Sequence, residues 1–230
     1  MKLIHLIARR ELWLALAIIL GAAVAAQAQK YWEFVRAGQV NAKELRQYTW
    51  KARTEVRKGG ETKSVQLNLV RYGADGALQQ TLIGGTTPQQ IPTRGLRGII
   101  ARKKKEDFVE MLDGLSALAK SYAGLPPEVM QRFIAGATVS PETDVQPSLF
   151  RLQARDVLRP GDSMTVWVDA LTRRQRRVEI ETTFDREPVR IVSEFRDLPD
   201  GPTYMARSAV EYPSRELAVI TENFDHLRAR

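Results

Sequence analysis

Groups able to perform acid–base or nucleophilic chemistry are scarce in this sequence. It contains no cysteine and only two histidines, His5 and His226. Cysteine nucleophiles, disulfides, thiolate zinc sites and multi-histidine metal sites are therefore excluded. A serine triad would have to use His226, four residues from the end of the sequence. We interpret His226 as an exposed polar residue on a terminal strand, and we predict no metal site and no cofactor.

Three carboxylates, Asp169, Glu179 and Glu181, lie in neighbouring segments of alternating apolar and polar residues. Paired carboxylates can perform acid–base chemistry. Here they alternate with apolar residues and arginines surround them, so we predict that they face water together with Thr165 and Thr183 and form cross-strand ion pairs. No G-x-S-x-G, H-E-x-x-H, phosphate-binding or dinucleotide-binding motif is present. We predict that the chain is not an enzyme, with a hydrolase dependent on His226 as the remaining catalytic alternative.

Basic residues are concentrated in the segment RGLRGIIARKKK, residues 94–105. This predicts a surface that binds an anionic membrane or an envelope protein, and the alternative is a solvated loop and first helical turn. The residues of this basic surface are Arg94, Arg97, Arg102, Lys103, Lys104 and Lys105. A second basic cluster, residues 172–177, is predicted at an exposed hairpin tip. Nucleic acid is not a predicted partner, because no nucleic-acid-binding motif accompanies these charges.

The first 28 residues have the order of a secretory signal peptide. Lys2, Arg9 and Arg10 precede an uncharged apolar run at residues 12–26, and Ala26-Gln27-Ala28 follows as a small-x-small site. The run is shorter than the ~20 residues that a spanning helix needs, although a retained anchor is the alternative. We predict cleavage near Ala28, a periplasmic or secreted protein, and a mature formal charge of +6 in place of +8.

Period-two alternation predicts about nine β-strands. Three strands follow a first helix at residues 31–47, and six more follow residue 148. The predicted strands are residues 48–57, a second strand around 65–69, and 77–83, then 149–157, 163–171, 176–185, 188–197, 203–212 and 217–225. Short turns between the six favour an antiparallel meander, and the hairpin spacing favours a barrel or a strongly curved sheet.

Two amphipathic helices, residues 99–123 and 128–135, are predicted between the two groups of strands. Their apolar side can cover the sheet either as an ordinary core or as the wall of a cavity that admits acyl chains. The candidate cavity residues are Phe108, Met111, Leu112, Leu115, Met130, Phe133, Val166, Val168, Ile180 and Phe184. Residues 29–230 are predicted to form one domain with a helical insert at about 97–137.

The order of helix, three strands, helical insert and six-strand meander resembles the LolA/LolB superfamily of periplasmic lipoprotein carriers, or a secreted branch of it. The phrases VWVDALTRRQRRVEIETTF and FRDLPDGPTYMARSAVEY carry the resemblance, together with QYTWKARTEV. The resemblance implies an α+β fold in which a strongly curved antiparallel sheet, an incomplete β-barrel, holds helices on its concave face. It also implies an apolar cavity for acyl chains.

The leading functional hypothesis is an exported carrier or chaperone for a lipid or a lipoprotein. Affinity would come from burial of acyl chains, at ~0.8 kcal/mol per methylene group. The alternative is a non-enzymatic interaction or sensor module with a dry core, which recognises another envelope protein.

Overall fold

The computed structural model describes residue 33 and residues 35–86, 95–142 and 148–229. The chain divides into two compact units, Met1–Val40 and Asn41–Arg230. Residues 33 and 35–45 are helical (α1), and the boundary between the units falls within this helix. The predicted signal peptide lies outside the described residues, so cleavage near Ala28 stays a prediction. Within the described ranges, no helix has the length and hydropathy needed to cross a membrane.

The second unit is built on one ten-stranded antiparallel sheet. The strands are β1 (Tyr48–Lys58), β2 (Glu61–Tyr72), β3 (Leu78–Thr86), β4 (Thr138–Pro141), β5 (Leu149–Arg155), β6 (Ser163–Asp169), β7 (Arg174–Phe184), β8 (Glu187–Asp197), β9 (Thr203–Tyr212) and β10 (Leu217–Arg228). Their order across the sheet is β3-β2-β1-β10-β9-β8-β7-β6-β5-β4. The predicted α+β class and antiparallel meander are confirmed, and the sheet is open, with β3 and β4 at its two edges.

Strand β4 is not among the nine strands that the sequence predicts. Its four residues include Pro141, which has no N–H to donate and argues against a strand in the middle of a sheet. At the edge of a sheet a proline is tolerated because one side of the strand needs no partner. Residues 138–141 form a strand because they pair with β5. The sequence of these four residues alone does not indicate that pairing.

The two helices α2 (Gly95–Ala123) and α3 (Pro127–Gly136) connect the opposite edges of the sheet, from β3 to β4. Helix α2 has 29 residues, so it is about 43 Å long at 1.5 Å per residue. This length is enough to cross several neighbouring strands, which are spaced about 4.8 Å apart.

The hairpin between β1 and β2 shows how the local sequence fixes the register. Gly59 and Gly60 both have positive φ angles, 59° and 79°. A two-residue hairpin turn with two positive φ angles matches the right-handed twist of its strands, and glycine adopts it without steric cost. The turn sets Lys58 opposite Glu61 and Arg57 opposite Thr62, and a register shift follows, so that Val56 pairs with Ser64.

Alternation and register give the sheet two chemically different faces. On the apolar face, one row of paired residues crosses six strands from β6 to β1. The row is Met164, Ile180, Ile191, Val210, Val219 and Val56. All of these except half-buried Val219 are buried. The opposite face, here called the charged face, carries the ion pairs described below.

Candidate functional site

Helix α2 is held on the apolar face by a buried polar contact near its C-terminal end. The Tyr122 hydroxyl donates a 2.6 Å hydrogen bond to Asp162 Oδ2 and hydrogen-bonds with Thr182 Oγ1 at 3.0 Å. All three residues are buried. Burial and the hydrogen bond to Asp162 raise the pKa of Tyr122 to about 12. A neutral phenol is therefore fixed between the helix, strand β7 and the turn before β6.

Eight residues earlier, Gly114 allows α2 to approach β7 closely. A Cβ atom at this position would lie 2.6 Å from Cζ of Phe184, so any other residue would displace the helix or the ring. Leu115 and Leu118, on the same stretch of helix, are 1% and 3% exposed. The half of α2 from Gly114 to Tyr122 is thus firmly packed.

The preceding half of α2 is covered less completely. Phe108, Met111 and Leu112 are half-buried, whereas Val109 is 46% exposed. The nitrogen of Lys58, at the end of β1, lies 5.2 Å from the centre of the Phe108 ring, within range of a cation–π contact. The helix therefore changes from half-buried to fully buried along its length.

The structure separates the predicted cavity residues into two classes. Leu115, Phe133, Val166, Val168 and Ile180 are buried core residues. The half-buried class is Phe108, Met111, Leu112, Met130 and Phe184. All of the predicted strand residues in the set lie on β6 or β7, beneath or beside the contacts of α2. Whether they bind a ligand stays a prediction.

Next to the apolar row, the apolar face carries a second row that is partly hydroxylated. It pairs Val166, Val178, Ser193, Ser208, Thr221 and Thr54 across six strands. Hydroxyls bond in pairs across strands: Ser193 with Ser208 at 3.1 Å, and Thr54 with Thr221 at 3.2 Å. The last five residues of the row are half-buried. Sequence reasoning missed this row, although hydroxyl residues at inward positions of β1, β8, β9 and β10 were its signal.

The other end of the apolar face carries a cluster of aromatic rings. Trp50 stacks on His226 with ring centres 5.7 Å apart and lies 5.9 Å from Tyr72, while Tyr204 is 4.0 Å from His226. Trp50 Nε1 donates to Asn223 Oδ1 at 3.1 Å. Burial lowers the pKa of His226, although the Asp225 carboxylate opposes this effect. His226 is therefore a packed ring and not simply an exposed polar side chain.

On the charged face, Glu179 forms the predicted cross-strand ion pair with Arg190, whereas Glu181 forms no ion pair with any described residue. Glu179 accepts from Arg190 at 2.6 Å and from Arg177 at 3.0 Å, and Glu181 accepts from Ser163 at 3.3 Å. Burial alone would raise the pKa of Glu179, but the two arginines lower it. These contacts neutralise the face pair by pair.

The prediction that Thr165 and Asp169 face water was wrong. They are 8% and 4% exposed. Asp169 lies at the end of β6, where its Oδ1 accepts from the backbone N–H of Leu171 at 3.0 Å and of Thr172 at 3.4 Å. Burial would raise the pKa of Asp169, but these hydrogen bonds and one from Arg176 lower it. The carboxylate organises the hairpin turn that follows it.

Glu55 is a buried carboxylate that sequence reasoning did not single out. Arg57 Nε and Thr62 Oγ1 each donate to its Oε1 at 2.6 Å, and Arg53 Nη1 lies 2.8 Å from its Oε2. These three hydrogen bonds, with that from Arg57 the largest influence, lower the pKa of Glu55 to about 2. The carboxylate stays ionised, and its hydrogen bonds connect β1 with β2.

The predicted basic surface is described only in part. Lys103, Lys104 and Lys105 are exposed on α2. Arg94 lies outside the described residues, and so do the side chains of Arg97 and Arg102. In the described part of the chain, no three histidine, aspartate or glutamate side chains are grouped so that they could hold a metal ion.

No family model matches the sequence, and no curated protein matches it. Solved structures give distant similarities. One is a DUF1329 family protein from Desulfovibrio piger ATCC 29098, 11% identical, with a TM-score of 0.39, covering 87% of this chain and 92% of that chain. Another is a LolA superfamily protein from Nitrosomonas europaea, 9% identical, with a TM-score of 0.35 and coverage of 84% and 93%.

The protein from Nitrosomonas europaea carries the name of the superfamily that this sequence resembles. At such identities and TM-scores, neither structure carries an argument about the ligand or the activity of this chain.

Proposed function

We propose that the chain is an exported, non-enzymatic carrier or chaperone that binds an acyl chain of a lipid or a lipoprotein. In this proposal the sheet curves around the ligand, α2 and α3 cover its concave face, and the protein works in the periplasm. The observation that carries the proposal is the change of burial along α2. Leu115 is 1% exposed, but Phe108, Met111 and Leu112 remain half-buried.

The firmly packed half of α2 supplies an anchor for such a cover. Gly114 lies against Phe184, and Tyr122 is bonded to Asp162 and Thr182. With this part fixed, the half that contains Phe108 and Met111 can move away from the sheet without loss of the buried contacts. Regions with few buried contacts open at low free-energy cost.

The side chains of the loosely covered half suit a ligand of variable shape. Methionine is flexible and polarizable, so Met111 can adapt to acyl chains of different length. Each methylene group removed from water contributes ~0.8 kcal/mol. The neighbouring hydroxyl row, which includes Ser193 and Ser208, offers hydrogen-bonding groups to an ester or a headgroup beside the acyl chain.

Met111→Lys tests the proposal, because it places a charge at the half-buried side of α2 without removing a fully buried residue. The matched control is Val109→Lys, which adds the same charge to the exposed side of the same helix. We expect Met111→Lys to weaken the binding of cis-parinaric acid about tenfold or more, since burial of an unpaired charge is costly. Titration of the probe's fluorescence measures both variants, with circular dichroism to verify folding.

Equal binding by the two lysine variants would contradict the acyl-chain site. Failure of the unmodified protein to bind the probe, together with a bare mass in native mass spectrometry, would favour the interaction module with a dry core. The edge strand β3 supports that second function, because it has no charged residue and exposes Leu78, Leu82 and Ile83 by 49%, 65% and 47%. Uncharged edge strands are open to pairing with another chain.

A further inference from the structure

A groove lies between α3 and the turn that joins β5 to β6, apart from the cover formed by α2. Its volume is about 420 Å³, within the range of small-molecule sites. Arg132 of α3 lines it together with Arg155 and Arg159, which lie at and just after the end of β5, and all three arginines are exposed. Its apolar lining includes Phe133 and Val157, which are 4% and 7% exposed. The groove thus combines guanidinium groups with a buried apolar wall.

The turn that follows β5 and carries Arg159 is fixed by a buried carboxylate. Asp162, which is 2% exposed, accepts from the backbone N–H groups of Val157, Leu158 and Arg159 at 2.6, 3.0 and 2.9 Å. Tyr122 donates to the same carboxylate. Charge-assisted hydrogen bonds of this kind are strong, so the turn is preorganised. Because these three N–H groups are already used, an anion in the groove would have to be bound by side chains.

The charges of the groove are unbalanced. Among the residues that the structure describes, no carboxylate forms an ion pair with Arg132, Arg155 or Arg159. The one acidic residue in the lining, Asp156, accepts the N–H of Gly161 at 2.6 Å and so closes the turn. Most other arginines of the sheet have such partners, as Arg176 and Arg190 do. Three guanidiniums around one concavity, without a carboxylate partner among the described residues, favour an anion with several acceptor oxygens.

We propose that this groove binds a phosphate group, held by Arg132, Arg155 and Arg159, with the apolar part of the ligand against Phe133 and Val157. Guanidinium presents paired N–H donors in a planar fork that matches phosphate oxygens. The phosphate can come from a phospholipid headgroup or from free phosphate. The inference goes beyond the acyl-chain proposal and does not need it, because none of the three arginines lies on α2, whose change of burial carries that proposal.

The test is isothermal titration of the full chain with two probes at low ionic strength: inorganic phosphate, and dihexanoyl phosphatidic acid below its critical micelle concentration. The variant is the triple substitution Arg132→Gln, Arg155→Gln and Arg159→Gln. The control removes the same charge elsewhere, with Arg186→Gln, Arg196→Gln and Arg215→Gln, all exposed positions outside the groove. We expect the groove variant to bind at least about tenfold more weakly and the control to stay within about twofold.

Equal affinities of the two triple variants for both probes would overturn the proposal, and so would the absence of binding by the unmodified protein. Binding of inorganic phosphate that competes with the lipid would identify phosphate itself as the ligand chemistry. Binding of the lipid alone, lost in the groove variant, would identify the headgroup. A second variant, Arg155→Lys with Arg159→Lys, keeps the charge and removes the forks. We expect intermediate affinity for it, and affinity equal to that of the unmodified protein would contradict the forked contacts.

Discussion

The two ends of the apolar face differ in how their contacts are made. At one end, where β1 finishes and α2 crosses, aliphatic side chains such as Leu115 and Leu118 are almost completely buried, and Tyr122 is bonded to Asp162. At the other end, about 27 Å along β1 by strand rise, Trp50 stacks on His226. The first end relies on close packing and a buried hydrogen-bond network. The second relies on rings, among them the imidazole of His226.

This difference separates stability from adaptability. Buried aliphatic contacts and satisfied buried polar groups are costly to disturb, so the α2 end should contribute most of the stability. The aromatic end includes half-buried residues and a histidine with a lowered pKa. It should respond to its surroundings, in particular to pH, with little effect on the fold. Three substitutions test this comparison, from the largest expected effect to the smallest.

The largest effect is expected for Leu115→Ala at the α2 end. Deletion of a fully buried leucine side chain costs about 2–5 kcal/mol, because transfer free energy is lost and a cavity remains. Leu115 is 1% exposed. Urea denaturation should show a decrease of this size in the free energy of unfolding. The control is Val109→Ala on the exposed side of the same helix, where a change within about 0.5 kcal/mol is expected; equal losses would mean that α2 is not anchored on the sheet.

An intermediate effect is expected for Tyr122→Phe, which removes only the hydroxyl. The loss of a buried hydrogen bond to a carboxylate costs about 1–3 kcal/mol, because Asp162 loses a donor. Tyr204→Phe, at the aromatic end, is the matched control and keeps its ring against His226. We expect a smaller loss for it. Equal losses of unfolding free energy in the two variants would mean that the hydrogen bonds of Tyr122 contribute no more to stability than the hydroxyl of Tyr204.

Tyr122→Phe also changes the stability at high pH. The pKa of Tyr122 is raised from 10.0 to about 12 in the folded chain, so the folded state favours the neutral phenol. The stabilisation is complete below pH 10 and is lost as the pH rises through about 12. The variant should lack this alkaline loss, and denaturation curves at pH 9 and 11 measure the difference. The same slope in both proteins would contradict the raised pKa.

The sequence predicted which residues form strands better than it predicted which strands pair with each other. All nine predicted strands are present, and the predicted boundaries of β9 agree at both ends, from Thr203 to Tyr212. Alternation is a local signal, because it is visible from the types of a few consecutive residues. The pairing of β1 with β10 brings residues together that are far apart in sequence. No local pattern contains that information, and the edge strand β4 was missed for the same reason.

The candidate site was predictable only where it follows the helical period. The apolar stripe of α2 placed Phe108, Met111 and Leu115 on one side of the helix, but periodicity does not distinguish a filled core from a cavity. The contact of Tyr122 with Asp162 joins a helix to a turn 40 residues away. The groove arginines come from two separate elements in the same way. Such groupings depend on tertiary structure, which explains why the sequence drew attention to the charge run at residues 94–105 instead.

The smallest effect is expected for His226→Phe at the aromatic end, and it should appear only as a change in pH dependence. Burial lowers the pKa of His226 below its ordinary value of about 6.5. The folded state therefore disfavours the imidazolium, although Asp225, itself paired with Lys51 at 2.9 Å, attracts it. The stability that this histidine contributes is complete above about pH 6.5 and is lost as the pH falls through its lower folded pKa.

Phenylalanine keeps a ring between Trp50 and Tyr204 but does not titrate, so the urea midpoint of His226→Phe should vary less between pH 7.5 and 5 than that of the unmodified protein. Tyr122→Phe is the control, because a phenol at the α2 end does not titrate in this window and its slope should equal that of the unmodified protein. A flattened slope in Tyr122→Phe, or an unchanged slope in His226→Phe, would mean that the pH response does not arise at the aromatic end. The expected pattern would instead assign the pH response between pH 7.5 and 5 to the aromatic end, and most of the stability to the α2 end, of one apolar face.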